Sequence, residues 1–271
     1  MTSGPRRVRA AFDMAASEGR TALITYHLAG FPTAPDSLAG AEAALSAGAD
    51  LLEIGVPFSD PMADGPTIAD AGRVALAGGA GLGSARELVA ELRARGHDQP
   101  IFVMTYLNPL MAAGLEGTVR ALRAAGADGL IVPDLPAAAD LALERLLAAE
   151  SMAISFLIAP NTPPPRLETA IARSTGFVYV VPVFGVTGER ARLAEAARPL
   201  VETARRAAAG RAPVAVGFGL SSREQVAALA PGADGVIVGS ALVTALRDGG
   251  VDQLARLVGS LAEGTRRADP G

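Results

Sequence analysis

The first residue suited to chemistry is Glu53, which lies inside the apolar run Leu51–Gly55. Such a run is typical of a parallel strand that helices cover on both faces. A carboxylate buried there is costly unless it has a partner or faces an opening. Because burial should raise its pKa, Glu53 is a candidate for taking and returning a proton near neutral pH. A structural carboxylate bonded to a neighbouring strand is the alternative.

Two further carboxylates, Asp60 and Asp64, follow in a loop that contains Pro57, Pro61 and Pro66. The prolines restrict the backbone and can hold a side chain in one place. Aspartates in loops of this kind also serve as turn formers. The spacing therefore leaves both a catalytic and a turn-forming interpretation open.

Two glycine motifs near the C-terminus suit a phosphate group. Gly217-Phe218-Gly219 follows one apolar run, and Gly239-Ser240 follows the next and opens a helix. Backbone N–H groups and a helix N-terminus bind phosphate without needing a lysine. Each motif alone is weak, but at the ends of two neighbouring strands they predict a phosphate site.

Aromatic side chains also fall at the ends of predicted strands, where they either line a pocket or pack in the core. They are Tyr26, Phe31, Tyr106, Phe184 and Phe218.

The composition excludes several kinds of chemistry. All 24 basic residues are arginine and the chain has no cysteine, so Schiff-base, thiolate and iron–sulfur chemistry are excluded. The two histidines, His27 and His97, are too few for a three-histidine metal site; we expect a packed His27 and an inert His97. The net charge of −4 gives no basic field for nucleic acid, and no apolar run approaches the roughly 18 residues of a membrane helix. We expect a cytoplasmic enzyme with no metal, cofactor, nucleic-acid partner or membrane partner.

A weak repeat predicts the elements that position these residues. The segments 47–50, 125–128 and 231–234 each end a helix at Gly and place an Asp before an apolar run. With similar runs elsewhere, the predicted strands are 22–28, 51–55, 101–106, 129–133, 153–158, 177–181, 214–218 and 235–239.

Eight such strands predict an α/β fold, a (β/α)8 TIM barrel that forms a single domain over residues 1–271 with a short N-terminal helix before the first strand. A doubly wound sheet with fewer strands is the alternative. Helix starts are predicted at Ser84 and Ser222 from capping motifs. The long loops 57–83 and 182–190 should leave from the C-terminal face, where barrel enzymes carry their chemistry.

The run from Leu52 to Ile68 resembles the signature of the tryptophan synthase alpha chain family, and its length makes it specific. Other matching segments follow in the family's order through nearly the whole chain. They are 105–109, 129–136, 177–179, 185–188, 217–219 and 239–241.

The resemblance implies a lyase that splits indole-3-glycerol phosphate into indole and glyceraldehyde 3-phosphate. Glu53 would be the general acid–base, taking a proton from the glycerol hydroxyl next to the indole and placing one on indole C3. Asp64 would accept the indole N–H and stabilise the positive charge that develops on the ring. Thr187 would close over Asp64. The implied substrate residues are Tyr179 beside the substrate and Gly188, Gly219, Gly239 and Ser240 at the phosphate; Tyr26, Tyr106 and Phe218 complete the predicted pocket.

The chain departs from the family at two places. Leu28 and Phe31 stand where the family usually has Thr and Asp, and Pro182-Val183-Phe184 replaces a segment that usually begins with Ser. We interpret both as one coupled change in loop closure, in which Phe31 packs against Val183 or Phe184.

The resemblance also implies a partner, since family members dock on a pyridoxal phosphate beta chain that consumes the indole, in an alpha2beta2 complex. Three alternatives remain at this point. They are a stand-alone lyase of specialised metabolism, a catalytically silent activating subunit, and a different phosphate-binding barrel such as an isomerase, epimerase or decarboxylase. The retained Glu53 and Asp64 argue against the last two.

Overall fold

One parallel sheet forms the centre of the molecule. A computed structural model describes residues 3–139, 141–181, 190–217 and 219–267, and within these ranges the sheet has nine strands in the order β5-β4-β3-β2-β1-β9-β8-β7-β6. The strands are β1 (Ala22–Leu28), β2 (Leu51–Gly55), β3 (Ile101–Met104), β4 (Gly129–Ile131), β5 (Ala153–Ser155), β6 (Leu157–Ile158), β7 (Val178–Val180), β8 (Val214–Gly217) and β9 (Gly235–Val238).

The two edge strands of this sheet, β5 and β6, are separated in the chain by Phe156 alone. The chain itself therefore joins the edges, and the sheet closes into a barrel. This confirms the predicted (β/α)8 architecture and excludes the doubly wound alternative, whose edges lie far apart. The predicted strand 153–158 is present as two pieces, because the ladder is interrupted at Phe156.

Helices surround the barrel. They are α1 (Gly4–Ser17), α2 (Ala34–Ser46), α3 (Pro66–Ala77), α4 (Leu82–Ala94), α5 (Leu107–Ala112), α6 (Leu115–Ala125), α7 (Ala142–Ala149), α8 (Pro164–Arg173), α9 (Arg190–Ala208), α10 (Arg223–Leu229) and α11 (Ser240–Gly264), with a short 3-10 turn at Ala230–Gly232. None of the helices in the described ranges is both long and apolar enough to span a membrane.

One predicted helix start is confirmed and the other is wrong. Ser222 caps α10, with its hydroxyl accepting a hydrogen bond from the Gln225 N–H. The start predicted at Ser84 lies inside α4, which begins at Leu82 after Gly81. Ser84 instead accepts the Gly81 N–H at 3.3 Å, so the same hydroxyl ties down the residue before the helix.

The barrel interior is filled by an apolar cluster below the strand ends. Phe177 is its centre, with ring centroids 5.1 Å from Phe102 and 5.9 Å from Phe12. Phe12 and Val8 belong to α1, which therefore packs into the amino-terminal end of the barrel. The remaining buried members of the cluster are Ala15, Ala22, Ile24, Leu51, Ile131, Ala153, Ala215 and Ile237. Side chains beyond this layer, toward the carboxyl ends of the strands, face the other end of the barrel.

The repeated aspartates share one structural role at the amino-terminal ends of the strands. Each accepts a backbone N–H from the first or second residue of a neighbouring strand and pairs with an arginine. The sets are Leu23–Asp50–Arg20, Ile101–Asp128–Arg93 and Val214–Asp234–Arg205. A single side chain thus satisfies a donor that the sheet leaves open and neutralises its own charge.

Candidate active site

A cavity of about 670 Å³ opens at the carboxyl ends of the strands. It brings together two groups that lie far apart in sequence. One is the pair of acids, Glu53 and Asp64, and the other is a glycine cluster that consists of Gly219, Gly239 and Ser240. Because one cavity contains both, a single small molecule can contact the acids and the glycines together. The other lining residues are Tyr26, Met62, Ala63, Gly65, Ile68, Met104, Pro133, Leu157, Ile158, Ala159, Thr162, Tyr179, Val181, Gly217 and Ile237.

Glu53 lies at the floor of this cavity and is 1% exposed. Neither carboxylate oxygen has a hydrogen-bond partner among the described residues. Burial, together with the nearby charge of Asp64, raises the pKa of Glu53 to about 8. The side chain therefore holds a proton at neutral pH and can give it to a bound molecule.

Asp64 reaches the cavity from the loop after β2 and is half-buried. Burial raises its pKa, and the Tyr106 hydroxyl opposes that rise. Because the opposing contribution favours the anion, Asp64 is the better placed of the two acids to hold a negative charge. Asp60 lies in the same loop but is exposed, with its carboxylate accepting a hydrogen bond from Ser59, which fits the turn-forming interpretation.

Tyr106 differs from the prediction that it lines the pocket. It is buried, stacks on Phe58 with ring centroids 5.1 Å apart, and does not line the cavity. Its hydroxyl accepts the Ala63 N–H at 2.8 Å, beside Asp64. The side chain therefore holds the loop that carries Asp64, because a phenol two residues beyond β3 can reach a backbone donor in that loop.

Tyr26 and Tyr179 both line the cavity, and each occupies space that a glycine leaves open. A Cβ on Gly55 would lie 2.1 Å from the Tyr26 hydroxyl oxygen, and one on Gly217 would lie 2.7 Å from the Tyr179 ring. Burial first, and the charges of Glu53 and Asp64 second, raise the pKa of both phenols well above the usual value. Both tyrosines remain protonated hydrogen-bond donors.

The glycine cluster has the geometry of an anion site. Gly239 precedes α11, whose first N–H groups, beginning at Ser240, have no acceptor within the helix. Gly219 has a φ of +50°, a conformation that favours glycine. A second cavity of about 320 Å³ shares Gly219 and Ser240 and adds the side chain of Thr244. No arginine lines either cavity in the described part of the chain.

Several predicted residues lie outside the described ranges. These are Thr187, Gly188 and Phe218, and also Val183 and Phe184 of the proposed loop pairing. That pairing stays a prediction.

Phe31, the other member of the proposed pairing, is described and buried. It packs in a cluster with Tyr26 and Leu28 of β1 and Val243 of α11. The apolar replacement at position 31 thus contributes to the layer directly behind the cavity wall that Tyr26 forms.

The two histidines lie away from the reacting groups. His27 is buried with its Nε2 3.2 Å from the Thr25 hydroxyl, and burial lowers its pKa to about 4. His97 lies 3.5 Å from Glu42 at the other end of the barrel. Within the described ranges, no three His, Asp or Glu side chains are grouped so that they could hold a metal ion.

Sequence reasoning missed the apolar wall of the cavity. Much of this wall is formed by four residues, each within two residues of a strand end: Met104, Pro133, Leu157 and Ile237. Alternation along each strand was the available signal, because every second residue faces the interior. Applying it would have required strand ends accurate to one residue.

Comparison with known proteins supports one family. The family described as tryptophan synthase alpha chain matches residues 12–265. The tryptophan synthase alpha chain of Deinococcus radiodurans is 44% identical over 268 residues, covering 97% of this chain and 96% of the relative. That of Chloroflexus aggregans is 43% identical over 240 residues, covering 89% of each.

Solved structures agree with these relatives. The crystal structure of tryptophan synthase from M. tuberculosis in its aminoacrylate-bound form aligns with a TM-score of 0.87 at 39% identity, covering 96% of this chain and 99% of that one. The tryptophan synthase alpha chain of Legionella pneumophila aligns with a TM-score of 0.88 at 25% identity over the whole of both chains. With the barrel, the cavity and the sequence in agreement, the chain belongs to the tryptophan synthase alpha chain family.

Proposed function

We propose that this chain is a carbon–carbon lyase that cleaves indole-3-glycerol phosphate into indole and glyceraldehyde 3-phosphate. The observation that carries the proposal is the single cavity lined by Glu53, Asp64 and the Gly239-Ser240 segment. Its apolar wall suits an indole ring, and the free N–H groups at the start of α11 suit the phosphate at the other end of the substrate.

The first chemical step uses Glu53 as an acid. The protonated carboxyl gives its proton to indole C3, and the electron pair of the ring C2–C3 double bond forms the new C–H bond. Positive charge develops on the ring nitrogen, where the Asp64 carboxylate accepts the N–H and stabilises it. A pKa of about 8 for Glu53 supplies the acid form at neutral pH.

The second step uses the same group as a base. The Glu53 carboxylate takes the proton of the hydroxyl on the carbon attached to the ring, the oxygen lone pair forms the aldehyde, and the bond to C3 breaks. Its electrons return to the ring, which leaves as neutral indole. The proton count balances and Glu53 ends protonated, so the cycle needs no cofactor.

The test is indole release from indole-3-glycerol phosphate by the purified chain, compared with Glu53→Gln and Asp64→Asn. Glutamine keeps the size of the side chain but cannot move a proton, so kcat should fall by about 10³-fold. Asparagine at position 64 should lower kcat by about 10²-fold, because the charge that stabilises the ring cation is lost. Undiminished release by Glu53→Gln would refute the assigned role, and no release by any form, with or without a beta chain, would refute the function.

The pH profile gives an independent check. If Glu53 acts first as an acid, kcat/KM should fall as the pH rises through about 8, where the group loses its proton. A profile that stays flat to about pH 9.5 would show that the resting carboxyl is not the acid.

We also propose a tryptophan synthase beta chain as partner, docked at the mouth of the cavity. Indole leaves from this end, and two large apolar side chains lie exposed beside it. Met62 is 82% exposed in the loop of Asp64, and Met111 is 59% exposed on α5, the helix that follows Tyr106. Unburied methionines at an opening are typical of an interaction surface.

A matched pair of substitutions tests the partner surface. Met14 is also 59% exposed but lies on α1, at the closed end of the barrel. Met111→Ser should weaken binding to a purified tryptophan synthase beta chain by about tenfold, since a desolvated apolar side chain contributes about 1 to 2 kcal/mol. Met14→Ser should leave it unchanged. Equal binding by both variants would place the partner elsewhere.

A further inference from the structure

The hydroxyl of Tyr26 is a polar group of the cavity that the proposed reaction leaves without a task. Tyr26 lies on β1 directly opposite Glu53 on β2, as their Cα register shows. Of the three tyrosine hydroxyls, only that of Tyr106 makes a hydrogen bond with the described protein. As far as the described residues go, the Tyr26 hydroxyl can donate to a bound molecule.

The position of this hydroxyl is fixed by Gly55. The oxygen lies 2.1 Å from where a Cβ of Gly55 would stand, so the ring extends from β1 across to β2. Glu53 and Gly55 are two residues apart on one strand and face the same side, about 6.6 Å apart along it. Both side chains line the same cavity, and the pKa of the Tyr26 phenol is raised by burial and by the charges of Asp64 and Glu53, so the two groups flank one volume.

Neither group has a hydrogen-bond partner in the part of the chain that the structure describes. The two oxygens of Glu53 have none among the described residues, and no hydrogen bond joins them to Tyr26. A buried acid that lacks a partner is costly unless a third group, besides the acid and the phenol, completes it. In the proposed reaction, that third group is the carbinol of the substrate.

On the basis of the proposed function, we propose that Tyr26 is a further catalytic residue, which donates a hydrogen bond to the carbinol oxygen from which Glu53 takes a proton. As that proton leaves and the carbon–carbon bond breaks, negative charge builds on the oxygen before the aldehyde forms. A fixed phenol aimed at this oxygen stabilises the charge. The phenol keeps its own proton throughout, so the balance of the reaction is unchanged.

Tyr179 provides the comparison within the same cavity. Its ring lies over Gly217 on β8, the strand that leads to Gly219. Its hydroxyl therefore stands on the β8 side of the cavity, 2.8 Å from where a Cβ of Gly217 would lie. Removing that hydroxyl should act more on substrate affinity than on the chemical step.

The experiment measures kcat and KM for indole release with Tyr26→Phe and Tyr179→Phe, and the affinity of each for an analogue that carries a propyl chain in place of the glycerol. Tyr26→Phe should lower kcat about 10²-fold with KM within about twofold. It should bind the propyl analogue as tightly as the unchanged chain, because that analogue has no carbinol oxygen. In Tyr179→Phe, KM should rise and kcat should fall less.

Three results would overturn the inference. They are a kcat of Tyr26→Phe within about threefold of the unchanged chain, an equal loss of kcat in both variants, and weaker binding of the propyl analogue in proportion to the lost rate, which would indicate ring packing. Glu53→Gln separates this failure from that of the proposed function. If the unchanged chain releases indole and Glu53→Gln does not, the function stands whatever Tyr26→Phe shows.

Discussion

Asp128, at the amino-terminal end of the barrel, and Glu53, at the mouth, each expose at most 1% of the side chain, but their surroundings differ. One oxygen of Asp128 accepts the Ile101 N–H at 2.9 Å and the Arg93 guanidinium at 2.7 Å. The other has Arg7 Nε at 3.5 Å, an ion-pair contact without a hydrogen bond. Glu53 has no such partner among the described residues.

The two acids also differ in the groups that shift their pKa values. Burial raises the pKa of Asp128, but the Ile101 N–H and the nearby arginines all oppose it. For Glu53, burial and the Asp64 charge both act in the same direction. The fold therefore can stabilise a buried carboxylate and does so at one end. At the mouth it leaves a buried acid unsatisfied, which is typical of a group kept for chemistry.

Of the substitutions that test this comparison, Asp128→Ala should cause the largest loss of stability. The substitution leaves the Ile101 N–H without its acceptor and the half-buried Arg93 without the charge that neutralises it, so the free energy of unfolding should fall by about 3 to 5 kcal/mol. The kcat of the folded fraction should stay unchanged, since Asp128 lies at the closed end. Denaturant unfolding and indole release measure the two. A stability loss below about 1 kcal/mol would remove the contrast with Glu53.

The role of a buried acid can be predicted from the sequence only when its partners lie close to it in the chain. Asp128 was visible as part of a repeat with Asp50 and Asp234, but its role depends on Ile101 and Arg93, which are 27 and 35 residues away. Pairings at that distance are set by the register of the strands, which apolar patterning alone does not give. The strands themselves were predictable because their apolar runs are short and continuous.

In the active site, the residue type of Glu53 and its place in an apolar run were enough to single it out. The direction in which each side chain points was not predictable. Tyr26 and Tyr106 both end a predicted strand, yet only Tyr26 lines the cavity. Tyr106 lies two residues beyond Met104, where β3 ends, so strand alternation no longer determines where its side chain points. Ser84 shows the same limit for helices, since a hydroxyl near a helix start can occupy either of two positions in a cap.

Substitution of Glu53 should have the opposite effect on stability from substitution of Asp128. The pKa of Glu53 is raised to about 8 in the folded chain, from an ordinary value of 4.5. The folded state therefore holds the proton more tightly, and stability falls as the pH rises from about 4.5 to about 8. Glu53→Gln cannot ionise, so it should be more stable than the unchanged chain by about 3 to 5 kcal/mol well above pH 8, since a tenfold change in acid strength corresponds to about 1.4 kcal/mol. Below about pH 4, where Glu53 is protonated in both the folded and the unfolded chain, the two should be equal. A gain that does not depend on pH would point to packing instead of ionisation.

The smallest expected effects concern the other two repeated aspartates, and they rank by burial. Asp50 is 13% exposed and Asp234 is 31% exposed, while each makes the same contacts as Asp128, to a strand N–H and to an arginine. Since water screens an ion pair in proportion to its exposure, Asp50→Ala should cost about 2 kcal/mol and Asp234→Ala about 1 kcal/mol. Chemical denaturation of the three variants measures the order. An equal cost at all three positions would show that the shared hydrogen bond to the strand, and not the shielding of the charges, stabilises this end of the barrel.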